Sequence, residues 1–512
     1  MSARARLTGR PWPGVAEQIA HWCATTPLAP AVVQGSRTWT YRELEAAAGA
    51  IATALQAQLP GPGRVVAVTG PRGFTTVAAW VAVLATRSVL LPVDPGLASA
   101  QSARMVSRAG ADLVLALDGA RVPTADGASV LRLDSGQLGP GGRLPLGEPP
   151  QPEEPGYVLF TSGSTGQPKA ILGRHRSLAH FLTWLRNALH VQPCDRIGHL
   201  AGVGFDVTLR EVLLPLSAGA TLCLPPPAPL PPAQALAWLA DNRITLLHAV
   251  PTVARAWLHA SDDGIRLPLL RAVLFSGEPL TDTLVARWRT HLDYRGEIVN
   301  QYGPTETTLI RCWHRVEEDP VPGIQPLGRP IPGSEAWAED PPGARVPPGA
   351  SGEIVLRTMY GTSGYLGASE EEDARFAFGP GGEVIYRTGD LGHLDTDGTL
   401  HFHGRLDDQV KIYGVRVHLH AVEAVLEAQP GIHQAAVTAQ ADADGGAPRL
   451  TAHLVLAPGC DAIPGGLRAA LLQHLPAAAV PARFLTVDAL PRTNSSGKLD
   501  RSRLTNPSPS GS

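Results

Sequence analysis

Lysine occurs at only three positions in 512 residues, and each lies in a short Gly-rich or charged string: Lys169 in TSGSTGQPK, Lys411 in GRLDDQVKIYG and Lys498 in NSSGKLDR. Arginine carries all the other basic side-chain charge. A lysine offers a compact, swinging point charge where the planar, forked guanidinium would fit poorly, so these positions are candidates for meeting a moving or reacting anion. The first string runs Thr161, Ser162, Gly163, Ser164, Thr165 and Gly166 before reaching Lys169. Glycines let successive backbone N–H groups turn toward one anion, hydroxyls add donors and the lysine adds charge, which suits a polyphosphate. The spacing differs from the GxxxxGK nucleotide loop, in which Ser or Thr follows the lysine; here Ala170 follows it.

These groups need a scaffold, and the chain supplies one. Short β-branched runs alternate with helical stretches through the first 300 residues: RVVAV (64–68) and a helix near 74–86, then VLLPV, DLVLAL and YVLFT (157–161). TLCL (221–224), ITLLHA (244–249), RAVLF (271–275) and EIVNQ continue the series, with helices expected near 233–242, 251–260 and 281–292. Such βαβα order predicts an α/β fold of largely parallel sheets covered by helices. Pro-rich stretches at 138–155, 225–232 and 341–348 read as surface connections, because the pattern resumes after each. Beyond about residue 350 short strands and turns take over, followed by a βα segment from Val410. The predicted division is 1–406, 407–505 and a small polar tail, 506–512.

Bulk composition narrows the function classes. A chain this long exceeds what one hydrophobic core holds, and 44% hydrophobic with 17% charged residues is ordinary for a globular enzyme. A formal net charge of -3 and the lack of a basic stripe argue against nucleic acid. Five scattered cysteines without CxxC spacing predict neither a disulfide framework nor a cysteine zinc site. The first residues carry charge but run into Pro and Gly where a signal peptide turns apolar, so a cytoplasmic location is expected. The apolar segment Thr75 to Val93 contains Arg87 and Pro92 and reads as a buried helix plus a strand rather than a membrane span.

TSGSTGQPK resembles the signature of the adenylate-forming superfamily of acyl-CoA synthetases, luciferases and the adenylation domains of nonribosomal peptide synthetases. WTYREL (39–44), FDVTLRE (205–211), NQYGPTE (300–306), YRTGDL (386–391), GRLDDQVKIYG (404–414) and NSSGKLDR (494–501) follow in family order and resemble the amino-acid-activating branch. The resemblance implies a distorted β-barrel beside the parallel sheets and a small mobile α+β C-terminal domain. ATP and Mg²⁺ are implied, with no tightly bound organic cofactor. A carboxylic acid would attack the α-phosphorus to give an acyl-adenylate and pyrophosphate, so positive charge must converge on the reacting anions. By resemblance Lys498 bridges carboxylate and phosphate, Thr305 lies near the α-phosphate and Glu306 near Mg²⁺. Tyr302 stacks on adenine with Gly303 beside it, Gly277 and Glu278 flank the adenine, and Asp390 accepts both ribose hydroxyls with Arg405 nearby. Asp407 matches a hinge, and Lys411 and Gly414 match the face that meets the pantetheine arm.

Asp206 matches the aspartate that pairs with a substrate α-ammonium, which separates amino acids from fatty or aryl acids. The other pocket positions carried over are Val207, Arg210, His248, Leu274, Ser276, Gln301, Leu309 and Ile310. His248, Leu274 and Ser276 look similar to pockets that take serine, so L-serine or a small polar relative is the leading expectation. Arg210 stands where such pockets have Trp. A buried guanidinium without an anion costs several kcal/mol, so either a substrate carboxylate meets it, favouring aspartate, or it turns to solvent.

The chain departs from the family at Ala170, at ATRSVLLPVD (85–94) and at YGVRVHLHAVE (413–423), where Tyr413 replaces Arg and His418 and Ala421 replace acidic residues. His401 with His403 and His418 with His420 form HxH pairs that would share a face if on strands; surface or interface histidines are the plainer reading than zinc. No carrier domain is apparent, so the expected partners are an amino acid, a separate phosphopantetheinylated carrier protein and, where one is needed, a small activating protein, with no nucleic acid and no membrane. The competing readings are an acyl- or aryl-CoA ligase and a catalytically silent binding member of the family.

Overall fold

The structure is a computed structural model that describes residues 13–123, 127–138, 142–161, 168–228, 230–262, 264–367, 369, 373–406, 409–440, 448–460, 462–491 and 501–505. Two large sheets form its body. One has nine strands, in spatial order Arg329–Pro330, Cys312–Arg315, Glu297–Tyr302, Ala272–Ser276, Leu246–Ala249, Arg196–Gly198, Thr221–Leu224, Pro30–Gln34 and Arg37–Thr40. Its central ladders are parallel, and antiparallel pairs close both edges. The other has six, in order Ser129–Leu133, Leu113–Leu117, Val65–Thr69, Val89–Val93, Pro155–Thr161 and Lys169–Arg174, all parallel except the last pair.

The continuous apolar runs in the sequence follow from this layering, because strands covered on both faces have no solvent side. Phe74–Ala85 is a helix buried at every position from Thr75 onward, and Val89–Val93 is a fully buried strand. The main core joins this helix to side chains of both sheets, each buried Val or Leu contributing about 1.5–3 kcal/mol relative to exposure. WTYREL proves to be a joint between helix and sheet. Thr40 and Glu43 cap the helix Tyr41–Gln58 reciprocally, and the buried Tyr41 hydroxyl donates to Ala220 O at 2.8 Å.

The texture changes earlier than the expected position near residue 350, from Ser334 onward. Ser334–Glu339, Gly352–Thr358, Phe376–Phe378, Val384–Leu394 and Leu400–Arg405 form a five-stranded antiparallel sheet. Among the described residues no strand pair closes it into the expected barrel. The chain then builds a hairpin, Gln409–Ile412 with Val415–His418, turning at Tyr413 and Gly414, both at positive φ. A three-stranded sheet, Ile432–Gln440, Arg449–Leu456 and Arg483–Thr486, packs with the helix Leu419–Glu427 around a separate core. This local α+β unit corrects one expectation: His418 ends a strand and His420 lies in the first turn of the helix Leu419–Glu427, so that HxH pair shares no strand face, whereas His401 and His403 do lie on one strand. Among the described residues no helix is long and apolar enough to cross a membrane.

Candidate active site

The site lies at the carboxyl ends of the parallel strands, where open α/β sheets bind ligands. Ser276 and Gln301 are paired across adjacent strands there, and His248 pairs with Leu274 two residues deeper. Two adjoining cavities open at this edge. One is lined by Thr161, Asp206, Arg210, Ser276, Thr305, Leu309 and Ile310, the other by Glu278, Gln301, Tyr302, Asp390 and Arg405, with Gly277, Gly303 and Lys411 common to both. The structure thus brings most of the expected nucleotide and substrate residues to one cleft. Val207, His248, Leu274, Lys169 and Glu306 are absent from both linings. Ser162, Gly163, Ser164, Thr165, Gly166, Asp407 and Lys498 lie outside the described residues.

Arg210 is the decisive side chain of the first cavity. It projects from the helix Val207–Ser217 with only 1% of its surface exposed, which excludes the solvent-facing alternative. Nη1 donates to Gln301 Oε1 at 2.6 Å and Nη2 to Ser276 Oγ at 2.7 Å, while Nε is buried without a hydrogen-bond partner. Burial lowers its pKa to about 10, against the attraction of Asp206 and Glu211. Two further donor-bearing groups near this wall are unmatched, Gln301 Nε2 and the His248 ring. Burial drives the imidazole pKa well down, helped by Arg210, so it is neutral. Asp206 accepts from the Thr305 hydroxyl at 2.9 Å, which ties the anion of this cavity to the NQYGPTE segment.

That segment is held in an unusual backbone. Thr308 and Leu309 have φ of 69° and 63°, a region that non-glycine residues enter at a cost of about 1–3 kcal/mol each and that concentrates at functional sites. The turn brings the chain back against Gly303, where an added Cβ would lie 2.4 Å from Ile310 Cα and 2.5 Å from Leu309 O. In the second cavity the Tyr302 hydroxyl donates to Asp390 Oδ2 at 2.6 Å, and Arg405 donates to Asp390 Oδ1. Asp390 and Arg405 face each other across the strands Val384–Leu394 and Leu400–Arg405.

The small unit reaches into this cleft. Gly414 N donates to Glu278 Oε1 at 2.8 Å, and the Glu278 carboxylate also accepts from the backbone and hydroxyl of Thr252 at 3.0 Å. Burial lowers the Lys411 pKa, opposed by the charge of Asp390. Arg416 Nη1 sits 2.9 and 3.1 Å from the two oxygens of Glu306, and the Tyr365 hydroxyl donates to Oε1 at 2.8 Å. Burial opposes the ionisation of Glu306, yet Arg416 and Tyr365 hold its pKa below the usual value. Lys169 Nζ lies 5.1 Å from the centre of the Tyr365 ring.

Glu306 is the residue that the resemblance assigns to Mg²⁺. With a guanidinium on both oxygens the carboxylate does not fit a divalent ion in this domain arrangement. Sequence reasoning overlooked Arg416 and Tyr365. Arg416 sat within the divergent 413–423 segment as its retained arginine, while Tyr365 carried no motif signal.

Two helix-covered, largely parallel sheets, a cleft at their strand ends and a second, smaller unit turned into that cleft are the architecture of an adenylate-forming enzyme. The chain belongs to the AMP-binding enzyme family: residues 19–366 match that family and residues 421–498 its C-terminal domain. It is 34% identical to novobiocin biosynthesis protein H of Streptomyces niveus, over 94% of this chain and 80% of that protein. It is 37% identical to the phosphinothricin tripeptide synthetase PhsC of Streptomyces viridochromogenes, over 93% of this chain but 44% of that synthetase. Against the probable non-canonical nonribosomal peptide synthetase CymA of Salinispora arenicola the match covers 97% of this chain and 6% of the larger protein. Among solved structures, PA1221, a nonribosomal peptide synthetase protein containing adenylation and carrier domains, superposes with a TM-score of 0.83 at 27% identity, covering 96% of this chain and 84% of that one.

Proposed function

We propose that the chain activates an amino acid with ATP and transfers it to the phosphopantetheine thiol of a separate carrier protein, in natural-product assembly. In the first step a substrate carboxylate oxygen bonds to the α-phosphorus and pyrophosphate leaves. In the second the thiol sulfur bonds to the acyl carbon, AMP departs with the acyl–oxygen bond electrons, and the thiol proton is lost to solvent. Asp206 holds the α-ammonium, Asp390 the ribose, and Lys169 and Lys498 the phosphate and carboxylate charge. Residues 1–406 form the nucleotide-binding core, and residues 407–505 swing about Asp407. Lys411 and Gly414 in the cleft support reading this arrangement as the transfer state.

For the substrate, the observation that carries the reading is a buried Arg210, hydrogen-bonded only to neutral acceptors, one helical turn beyond Asp206 on the same cavity wall. Four residues of helix set the two Cα atoms about 6 Å apart along the axis, so one helix offers an anion for an α-ammonium and a cation for a short side-chain carboxylate on the same cavity wall. An acidic amino acid such as aspartate therefore replaces serine as the leading candidate. Serine remains the second reading because Arg210, Ser276 and Gln301 already satisfy one another in part, leaving space for a short hydroxyl. Asp206 disfavours a fatty or aryl acid. Amino-acid-dependent ATP–pyrophosphate exchange across the proteinogenic set tests the proposal: aspartate-dependent exchange is expected, and ATP binding without exchange for any amino acid would overturn it in favour of the acyl- or aryl-CoA ligase or the silent-member reading.

A further inference from the structure

The hairpin that carries Asp390 and Arg405 at one end carries a cluster of imidazoles toward its turn. His393 and His401 are directly opposed across the two strands, and their rings stack at 4.7 Å with an interplanar angle of 11°. Asp395, two residues beyond His393, lies between their Nε2 atoms: Oδ1 is 3.2 Å from His393 Nε2 and Oδ2 is 2.8 Å from His401 Nε2. The three potential ligand atoms, one from each residue, lie within 4.8 Å of one another.

We propose that His393, Asp395 and His401 bind one first-row divalent transition-metal ion, with Zn²⁺ as the reference ion. Metal–donor bonds of about 2.0–2.2 Å in a tetrahedral set require donor separations of about 3.3 Å; Asp395 lies near that distance from each Nε2 through one of its two oxygens, and the stacked rings must turn out of their parallel arrangement for both nitrogens to aim at one ion. Imidazole nitrogen and carboxylate oxygen suit zinc, copper or nickel better than calcium or magnesium.

The surroundings match what a ligating histidine requires. When Nε2 of such a residue holds a metal, its Nδ1–H needs a partner that fixes the ring. His393 Nδ1 lies 2.8 Å from His403 Nε2, and His403 Nδ1 lies 3.0 Å from Ser351 Oγ. One tautomer satisfies the whole relay, with His393 donating to His403 and His403 to Ser351. The loop that supports Asp395 is also pinned: Asp395 N donates to Thr399 O at 2.9 Å, and Asp397 accepts from Thr399 N and pairs with Arg329 at 2.7 Å. Side-chain exposures of 21%, 47% and 24% leave the ion a path from solvent. The bound ion would staple the two strands whose far ends hold Asp390 and Arg405.

The test uses the untagged chain with the exposed thiols of Cys194 and Cys460 alkylated, stripped by a chelator and dialysed against Zn²⁺. Metal per chain is measured by mass spectrometry, and affinity by competition with a chromophoric chelator. One zinc per chain is expected, lost in Asp395→Asn and His401→Ala, with affinity reduced about 10- to 100-fold in His403→Ala and a zinc-dependent rise in melting temperature in the unsubstituted protein alone. Co²⁺ should give visible bands that vanish in His401→Ala. Asp395→Asn keeps the size of the side chain, so a failure to fold cannot imitate the loss. Retention of zinc by Asp395→Asn and His401→Ala at the unsubstituted level, or no retention by any of them, would overturn the site.

Discussion

Replacing Arg210 with Met separates substrate recognition from fold stability. The guanidinium is buried, is held by two hydrogen bonds to neutral acceptors and has one unmatched N–H. Its removal takes an uncompensated cation out of the interior, which favours the variant by about 1–4 kcal/mol. It also leaves Gln301 Oε1 and Ser276 Oγ without their donor, at about 1–3 kcal/mol each. These terms oppose each other, so the melting midpoint of the ligand-free protein should move little. With aspartate bound, the variant leaves a buried carboxylate unpaired, a loss of about 3–5 kcal/mol that converts to about 150- to 5,000-fold in kcat/KM. Arg210→Lys keeps the charge but cannot bridge both acceptors with a fork, so it should retain preference for aspartate over asparagine at reduced activity. The assay is pyrophosphate exchange with aspartate, asparagine and serine, paired with thermal melting. If aspartate exchange survives Arg210→Met undiminished, or if the unsubstituted protein prefers serine and Arg210→Met leaves that preference intact, the assignment of the cation to a substrate anion is wrong.

The three lysines should separate by step. Lys498→Ala should abolish most exchange and Lys169→Ala should weaken ATP use, whereas Lys411→Ala should retain exchange while carrier-protein loading, followed by intact-mass measurement, falls; loss of exchange in Lys411→Ala contradicts its role. Gly303→Ala forces a Cβ into the backbone of Leu309 and Ile310, and such overpacking costs about 1–3 kcal/mol, so both melting temperature and exchange should drop. Glu211 is buried and its pKa is raised from 4.5 to about 8 by burial, against the Ala201 N–H bond and Arg72. Because the folded value lies above the unfolded one, its contribution is complete below about pH 4.5 and is lost as pH rises to about 8. Glu211→Gln, which can still accept from Ala201 N, should flatten that part of the stability–pH curve, and an unchanged slope would refute the shift.

The strand series was legible because the parallel strands are buried on both faces and bounded by turn residues, so Phe74–Ala85 and Val89–Val93 fall where the apolar run divides. The cleft was legible through motifs, and the structure brings most of them together at the strand ends. What sequence could not supply was direction and pairing. Arg210 was placed in the pocket list, but only packing decides whether a side chain on that helix faces solvent. The Arg416–Glu306 contact joins positions 110 residues apart, with nothing local to announce it. His393 went unnoticed because its partnership with His401 depends on strand register, which a bulge at Leu391 and Gly392 shifts.

The small unit covers acidic groups with basic or donor ones: Arg416 on Glu306, the Gly414 N–H on Glu278, and Lys411 beside Asp390. If it swings away as proposed, all three carboxylates lose a neighbour in the same motion. Opening is then a charging process as much as a rotation, since it exposes a concentrated negative field in a cleft with low-dielectric walls. Its cost falls with any mobile cation that enters and with any acidification that protonates the mouth. The balance between open and closed forms should therefore respond to the ionic composition of the medium even before substrate arrives.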